Sequence, residues 1–347
     1  MQASLKRAGQ ARPWAGLLWL APTWMARNHS RMILRRSILA TPWLATPALA
    51  QSFPTRPVTL VVPFPGGGSL DIITRILQPR LAEMLGGSVV VDNRPGGATV
   101  IGTDLVAKAP SDGHAILVMA NSFTINATLL PNTPFDARRD FTGVGSIGFN
   151  PHVLITAPRA PWRDLAAIRR LPPAQPLTYA SFGQGTSSHL GGESLRLATG
   201  LNMTHVPYRG GAPAQVDVAT GRVDVMFSNL PDALPLIRDG RLRALAVADT
   251  ARHPTMPDVP TLAELGLPQV VSNSWFAMVT RAGAPMGRLE KLNEALNAAL
   301  AEEPVRARFA ELGFTPNPMP LREFNAFLAD EFERNAQLIR EGGITPG

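Results

Sequence analysis

Cysteine is absent from all 347 residues, which excludes disulfides and thiolate metal sites and leaves the folded chain to be held by its core. Acidic residues are absent from the first fifty, where seven of the 33 basic residues fall: Lys6, Arg7, Arg12, Arg27, Arg31, Arg35 and Arg36. The remainder carries 26 basic against 26 acidic residues, so the high isoelectric point belongs to the leader and gives no basic footprint for nucleic acid. A long apolar run is missing too. The stretch after Arg35-Arg36 is short and interrupted by Pro42 and Pro47, and no later segment has the length or apolarity to cross a bilayer. The histidines lack any H-E-x-x-H or paired-ligand spacing, so His114, His152, His205 and His253 read as ordinary surface or core residues, with no metal implied.

What the leader does contain is an export signal: paired arginines, an apolar run from Ile38 to Leu44, and the small-x-small pattern Ala48-Leu49-Ala50. Cleavage is expected after Ala50, leaving Gln51 as the mature start in the periplasm. Met32 gives a signal of ordinary length, so residues 1–31 read as an over-long start. The twin-arginine export pattern is matched only in part, and an ordinary signal with a basic end accounts for the same residues. About 297 residues remain, enough for two lobes of ordinary domain size.

The mature sequence alternates β-branched runs with helical patterns, which predicts an α/β fold with mainly parallel sheets flanked by helices. Residues 58–64 read as a strand. Residues 70–85 read as a helix, with Leu70, Ile73, Leu77, Leu81 and Met84 on one face and Gly86-Gly87 as its stop. Residues 89–92 and 115–120 are further strands, with a helix over 99–108 between them. A second series begins near His152. It has strands at 153–157, 177–181, 203–206, 223–227 and 242–248 and helices at 188–198, 212–220 and 231–239. A strand at 274–279 and helices at 285–302 and 321–340 close the chain. Apolar segments 148–157 and 270–281 fall where the chain would cross between lobes and back. The expectation is lobe 1 from residues 51–150 with 275–347, lobe 2 from 151–274, and a cleft at the hinge.

Two glycine loops sit between a strand and a helix. In Phe64-Pro65-Gly66-Gly67-Gly68-Ser69-Leu70-Asp71 the glycines let the backbone approach a ligand, and free N–H groups at the helix start suit an anion. Asp71 is expected in the first turn, steadying the loop by accepting N–H bonds. Gly183-Gln184-Gly185-Thr186-Ser187-Ser188-His189 repeats this logic in the second series. Neither loop holds Lys or Arg, so N–H groups near Gly67, Gly68, Gly185 and Thr186, aided by Ser69 and Ser187, are expected to hold a carboxylate. Affinity is then expected to stay nearly flat from neutral pH upward. Further candidates are Asn121 and Ser122 after the third strand, Tyr208, Asn229 after a strand end, and His189 lining the site or bonded locally. Arg209 reads as part of a turn.

Nucleotide readings fail on context. The first loop lacks Gly-Lys-Ser/Thr, and Asp71 stands where a dinucleotide fingerprint has its third glycine. The G-x-G-x-x-G at 143–148 runs into a strand. There is no G-x-S-x-G elbow, and His189 adjoins Ser187 and Ser188 too closely in sequence to act as their base. No cofactor is implied, and no catalytic constellation is legible.

Several motifs together resemble the periplasmic receptors of tripartite tricarboxylate transporters, the Bug receptors. They are Phe53-Pro54-Thr55-Arg56-Pro57 leading to Val61-Val62-Pro63-Phe64, Asp92-Asn93-Arg94-Pro95-Gly96-Gly97, Gly102-Thr103-Asp104, Ser111-Asp112-Gly113, His205-Val206-Pro207-Tyr208-Arg209-Gly210, Asn229-Leu230-Pro231, Leu242-Arg243-Ala244-Leu245-Ala246-Val247 and Pro257-Asp258-Val259-Pro260-Thr261. The resemblance spans nearly the whole mature chain. It implies a two-lobed periplasmic-binding-protein-like fold joined by two crossing strands. It also implies a small organic carboxylate held by the loops at 64–71 and 183–189, and membrane permease subunits as partners of a monomer. Leu70, Phe123 and Ser228 depart from residues common in the family (Thr, His and an acid), which leaves the ligand's identity open. The competing expectations are an α/β enzyme acting on a small carboxylate and a ligand-presenting receptor for a signalling system without transport.

Overall fold

The computed structural model describes residues 53–172, 174–341 and 343–344. The expected export leader and the expected cleavage point at Ala50/Gln51 lie outside the described residues.

The first half of the fold holds β1 (Val58–Val62), α1 (Ser69–Leu85), β2 (Val89–Asn93), α2 (Val100–Ala107), β3 (Ala115–Ala120) and α3 (Ser122–Leu129). A long strand follows, β4 (Phe141–Thr156), then α4 (Leu165–Arg169), β5 (Leu177–Ser181), α5 (Ser187–Thr199), β6 (Met203–Pro207), α6 (Gly211–Ala219), β7 (Val225–Asn229), α7 (Leu230–Arg238) and β8 (Arg243–Val247). The chain ends with β9 (Asn273–Arg281), α8 (Met286–Ala301), α9 (Glu303–Glu311), β10 (Thr315–Pro316) and α10 (Leu321–Glu341).

β1 is a continuous apolar run because it is buried on both faces, as a central parallel strand requires. Val58, Leu60 and Val62 enter the core shared with α1 and α8, while Val61 enters the one shared with α10. It pairs parallel with β2 on one side and β3 on the other. α1 buries Leu70, Ile73, Leu77, Leu81 and Leu85 on one stripe and stops at Gly86, whose φ of 68° is left-handed. Ile73 and Leu77 are fully buried, so truncating either to alanine costs about 2–5 kcal/mol.

β4 carries the architecture. Its first part, from Phe141 to Pro151, pairs antiparallel with β9 in the first sheet, and from His152 to Thr156 it pairs antiparallel with β7 and β8 in the second. The return crossing runs beside it: the His152 N–H donates to Ser272 O at 3.0 Å, and the Ser272 N–H donates to Ala248 O at 3.1 Å. The result is a two-lobed α/β fold, with strand order β2-β1-β3-β9-β4 in one lobe and β4-β7-β5-β6 in the other. Cores on the two faces of the first sheet draw on residues before Pro151 and after Ser274, and those of the second on residues from Val153 to Val270.

Gly143, Gly145 and Gly148 lie inside β4. A Cβ at Gly143 would stand 2.8 Å from the Phe324 ring of α10, and one at Gly145 would stand 2.9 Å from Leu296 of α8. Close packing of helices on the sheet explains these glycines, and nothing there opens a phosphate loop. The segment expected as an extended crossing from 148 and a strand from 153 is thus strand from Phe141, and residues 122–129, of which only Ser122 was singled out as following a strand, form α3. Among the described residues no helix is long and apolar enough to cross a membrane.

Candidate functional site

β1 and β5 each end at a glycine loop that starts a helix, the position where α/β sheets present their ligand-contacting loops. In the first loop Asp71 is the organiser. Its carboxylate accepts the Gly67 N–H at 2.8 Å, Arg75 Nε at 2.9 Å and Asn93 Nδ2 at 3.0 Å, and Asn93 Nδ2 also donates to Phe64 O at 3.2 Å. Burial pushes the Asp71 carboxyl upward, but bonds from Arg75, Gly67 and Asn93 outweigh it and hold it below its usual value. Gly67 has φ +85°, a left-handed backbone that favours glycine, and a Cβ there would meet no protein atom within 4 Å.

The second loop is tied internally as well. Thr186 Oγ1 donates to Gly183 O at 2.7 Å and accepts the His189 N–H at 3.4 Å as the cap of α5, and the Gly185 N–H donates to His189 Nδ1 at 3.4 Å. His189 stacks on His205 with ring centroids 4.0 Å apart, and His205 stacks in turn on Tyr179. Burial lowers the pKa of His189; His205 falls to about 4 through burial and then the charge of His189. This trio is a neutral aromatic wedge under the loop.

A cavity of about 50 Å³ lies where the two loops meet. One water needs about 10–15 Å³ by such a measure, so the space suits a small organic molecule. The first lobe contributes Phe64, Gly68, Ser69, Asp71 and Ser122; the second contributes Thr186, Ser187, Arg209, Asn229 and Asp232. Phe182 and Phe276 add apolar wall, and Ser274 joins from the start of β9. An adjoining cleft of about 440 Å³ shares Phe64, Thr186 and Arg209 and adds Gly183 and Tyr208.

Hydrogen bonds join the lobes across this cavity. Asn229 Nδ2 donates to Ser69 Oγ at 2.7 Å and Ser69 Oγ donates to Asp232 Oδ2 at 3.2 Å; at the crossing beside them the Ser187 and Ser274 hydroxyls lie 2.9 Å apart. Because Nδ2 of Asn229 faces Ser69 and Asp232, its Oδ1 faces His152 Nε2 at 3.1 Å, which makes Nε2 the protonated nitrogen. His152 Nδ1 then accepts from Ser272 Oγ at 2.8 Å. Burial pushes His152 down to about 3, against a smaller upward effect of Asn229. Ser187 Oγ lies 3.4 Å from His152 Nε2, a long contact to a nitrogen already engaged with Asn229 and Ser274. An imidazole this hard to protonate, with a serine rather than a carboxylate at Nδ1, does not form a nucleophile–base pair.

The hydroxyl hydrogens at the wall are therefore largely committed: that of Ser69 to Asp232 and that of Thr186 to Gly183. What remains is the backbone at the helix starts, together with the Ser122 hydroxyl and the Arg209 guanidinium. α1 begins after Gly68, which has no side chain to cap it, so the first-turn N–H groups and the helix dipole meet the cavity. The starts of α5 and α3 reach it through Ser187 and Ser122.

Of the residues expected from sequence, Phe64, Gly68, Ser69, Asp71, Ser122, Thr186, Ser187 and Asn229 meet at the cavity. Gly183 and Tyr208 line the cleft, where the Tyr208 hydroxyl donates to Asp217 at 2.7 Å. Gly67, Asn121, Gly185 and His189 line neither. The Gly67 and Gly185 N–H groups are consumed within their loops, Asn121 Oδ1 accepts the Trp275 N–H at 2.9 Å, and His189 is stacked away. Sequence reasoning missed Asp232, Ser274, Phe182 and the placement of Arg209 at both cavities. Asp232 follows a strand end in the first turn of α7, the same signal that singled out Asn229.

The chain matches known proteins along most of its length. The profile of the family described as "Tripartite tricarboxylate transporter family receptor" matches residues 73–344. Protein BugT of Bordetella pertussis strain Tohama I is 38% identical over 298 residues, covering 85% of this chain and 91% of BugT. The structure of the periplasmic binding protein BugD superposes with a TM-score of 0.80 at 31% identity, covering 84% of this chain and 99% of that one. R. palustris Rpa4515, solved with adipate, superposes with a TM-score of 0.81 at 33% identity, covering 85% of this chain and 100% of that one.

Proposed function

The chain belongs to the receptor family of tripartite tricarboxylate transporters, and from that premise we propose that it captures one small organic carboxylate between its lobes for delivery to membrane permease subunits. The observation that carries this reading is the meeting of two glycine loops, one from each lobe, at a single small cavity where an uncapped helix start supplies N–H groups. The solved relative Rpa4515 holds a dicarboxylate, which supports the ligand class.

Lobe 1 comprises residues 51–150 with 275–347 and lobe 2 residues 151–274, so that closure turns on β4 near His152 and on the return at Ser272. The ligand bridges the helix starts of the two lobes, and the Ser69–Asn229 and Ser69–Asp232 contacts then close over it. The protein is exported, begins at Gln51 and works as a monomer in the periplasm. It releases its ligand unchanged, because the cavity brings no competent base to a nucleophile: His152 stays neutral far below physiological pH.

Isothermal calorimetry against a panel of small mono- and dicarboxylates tests the reading. One site per chain is expected, with the ligand recovered chemically intact. Bound ligand at a hundred times its dissociation constant adds about 2.7 kcal/mol of stability, visible as a rise in melting temperature. Conversion of the ligand by purified protein would establish an enzyme instead.

A further inference from the structure

The wall that meets a carboxylate ligand carries a carboxylate of its own. Asp232 reaches from α7 of the second lobe to the start of α1 in the first. Its Oδ2 accepts from Ser69 Oγ at 3.2 Å and from Asn229 Nδ2 at 3.3 Å. These partners are all neutral. A carboxylate offers about four acceptor positions, so two donors leave it capacity at the cavity. Nearby hydroxyls do not fill it: the one hydrogen of Ser69 is already given to Asp232, and that of Thr186 to Gly183. Much of the remaining wall is carbon, from Phe64, Leu70, Phe182 and Phe276. Burial raises the Asp232 carboxyl to about 6, the mark of an acid short of donors.

We propose that Asp232 selects the ligand, favouring acids that carry a hydroxyl or ammonium donor beside their carboxylate over the same acids without one. This rests on the carboxylate-receptor reading and names the ligand class within it. A bare methylene pressed against Asp232 strips its open acceptor positions of water and returns nothing. A second carboxylate placed there meets a like charge. A hydroxyl or ammonium group supplies the missing donor.

The test uses protein purified from the periplasm and calorimetry at neutral pH with matched acids, each offered as parent, 2-hydroxy and 2-amino compound, including butanedioate, malate and aspartate. The wild type is expected to bind the substituted acids about tenfold or more tightly than their parents. Asp232→Asn keeps the shape and the contact with Ser69, and is expected to bring each matched set together, chiefly by improving the parent acid. A wild type that binds matched acids alike overturns the proposal without any variant. So does an Asp232→Asn protein that shifts all of them equally, which would make Asp232 only a fastening between lobes. If no carboxylate binds at all, the receptor reading itself falls and this one with it; if acids bind without that ranking, the receptor reading stands and only the role of Asp232 is lost.

Discussion

His152 should make the protein acid-sensitive in a way that one substitution can isolate. Its ring is fully buried at the crossing between lobes, with Ser272, Ser274 and Asn229 as partners and no carboxylate among them. Burial lowers it from 6.5 to about 3, so the folded protein keeps it neutral while the unfolded chain protonates it below about 6.5. Because the folded value is the lower one, its stabilisation is fully present above 6.5 and is lost as pH falls toward 3. Each pH unit within that window costs a little over about 1 kcal/mol, so acidifying from about 6.5 to about 5 removes about 2 kcal/mol. Asp232 acts oppositely. Raised from 3.8 to about 6, it returns about 1 kcal/mol between about pH 6 and about pH 5, while His205, lowered to about 4, adds to the loss, so the wild-type curve alone does not isolate His152. The difference between wild type and His152→Gln removes Asp232 from the comparison. Urea unfolding of both proteins across this range should show that difference shrinking by about 2 kcal/mol as pH falls to about 5. A difference that stays constant with pH would mean that His152 titrates as it does in the unfolded chain, and the argument would be wrong.

The two loop glycines should behave differently. Gly185→Ala places a Cβ 1.9 Å from Asn126 Oδ1 at φ +67° and should cost about 1–3 kcal/mol or more, whereas Gly67→Ala pays only for its left-handed backbone, about 1–2 kcal/mol, as thermal melts would read. Affinity for an acid without a donor should not be flat with pH, as the loops alone suggested. It should rise as pH falls through about 6 and Asp232 loses its charge, with Asp71, held below its usual value, remaining ionised; titrations in Asp232→Asn should be flat, and equal slopes in both proteins would refute this. Export predicts that protein recovered from the periplasm begins at or near Gln51, which N-terminal sequencing checks; a mature protein retaining Arg35-Arg36 would contradict it.

What sequence revealed and what it hid have physical causes. β1 was plain because a strand buried on both faces must be apolar throughout, and the loops were plain because glycines followed by hydroxyl residues mark a tight turn that opens a helix. The first half of β4 was hidden by Gly143, Gly145 and Gly148, whose absent side chains make room for helices that only the folded chain brings near. α3 was hidden because Phe123, Ile125, Asn126 and Leu129 are buried around the helix, leaving little amphipathic period to read. Asp232 went unnoticed because its meaning comes from Ser69, 163 residues away and in the other lobe. The loop donors are a local matter: the Gly67 and Gly185 N–H groups have the right chemistry, but bonds to Asp71 and His189, each four residues on, claim them first.

The most direct test of the account is a crystal structure with a saturating carboxylate. The account predicts one ligand in the cavity between the loops, its carboxylate oxygens about 2.7–3.2 Å from N–H groups at the starts of α1 and α5. A carboxylate held instead by the Arg209 guanidinium, with those N–H groups left to water, would contradict it.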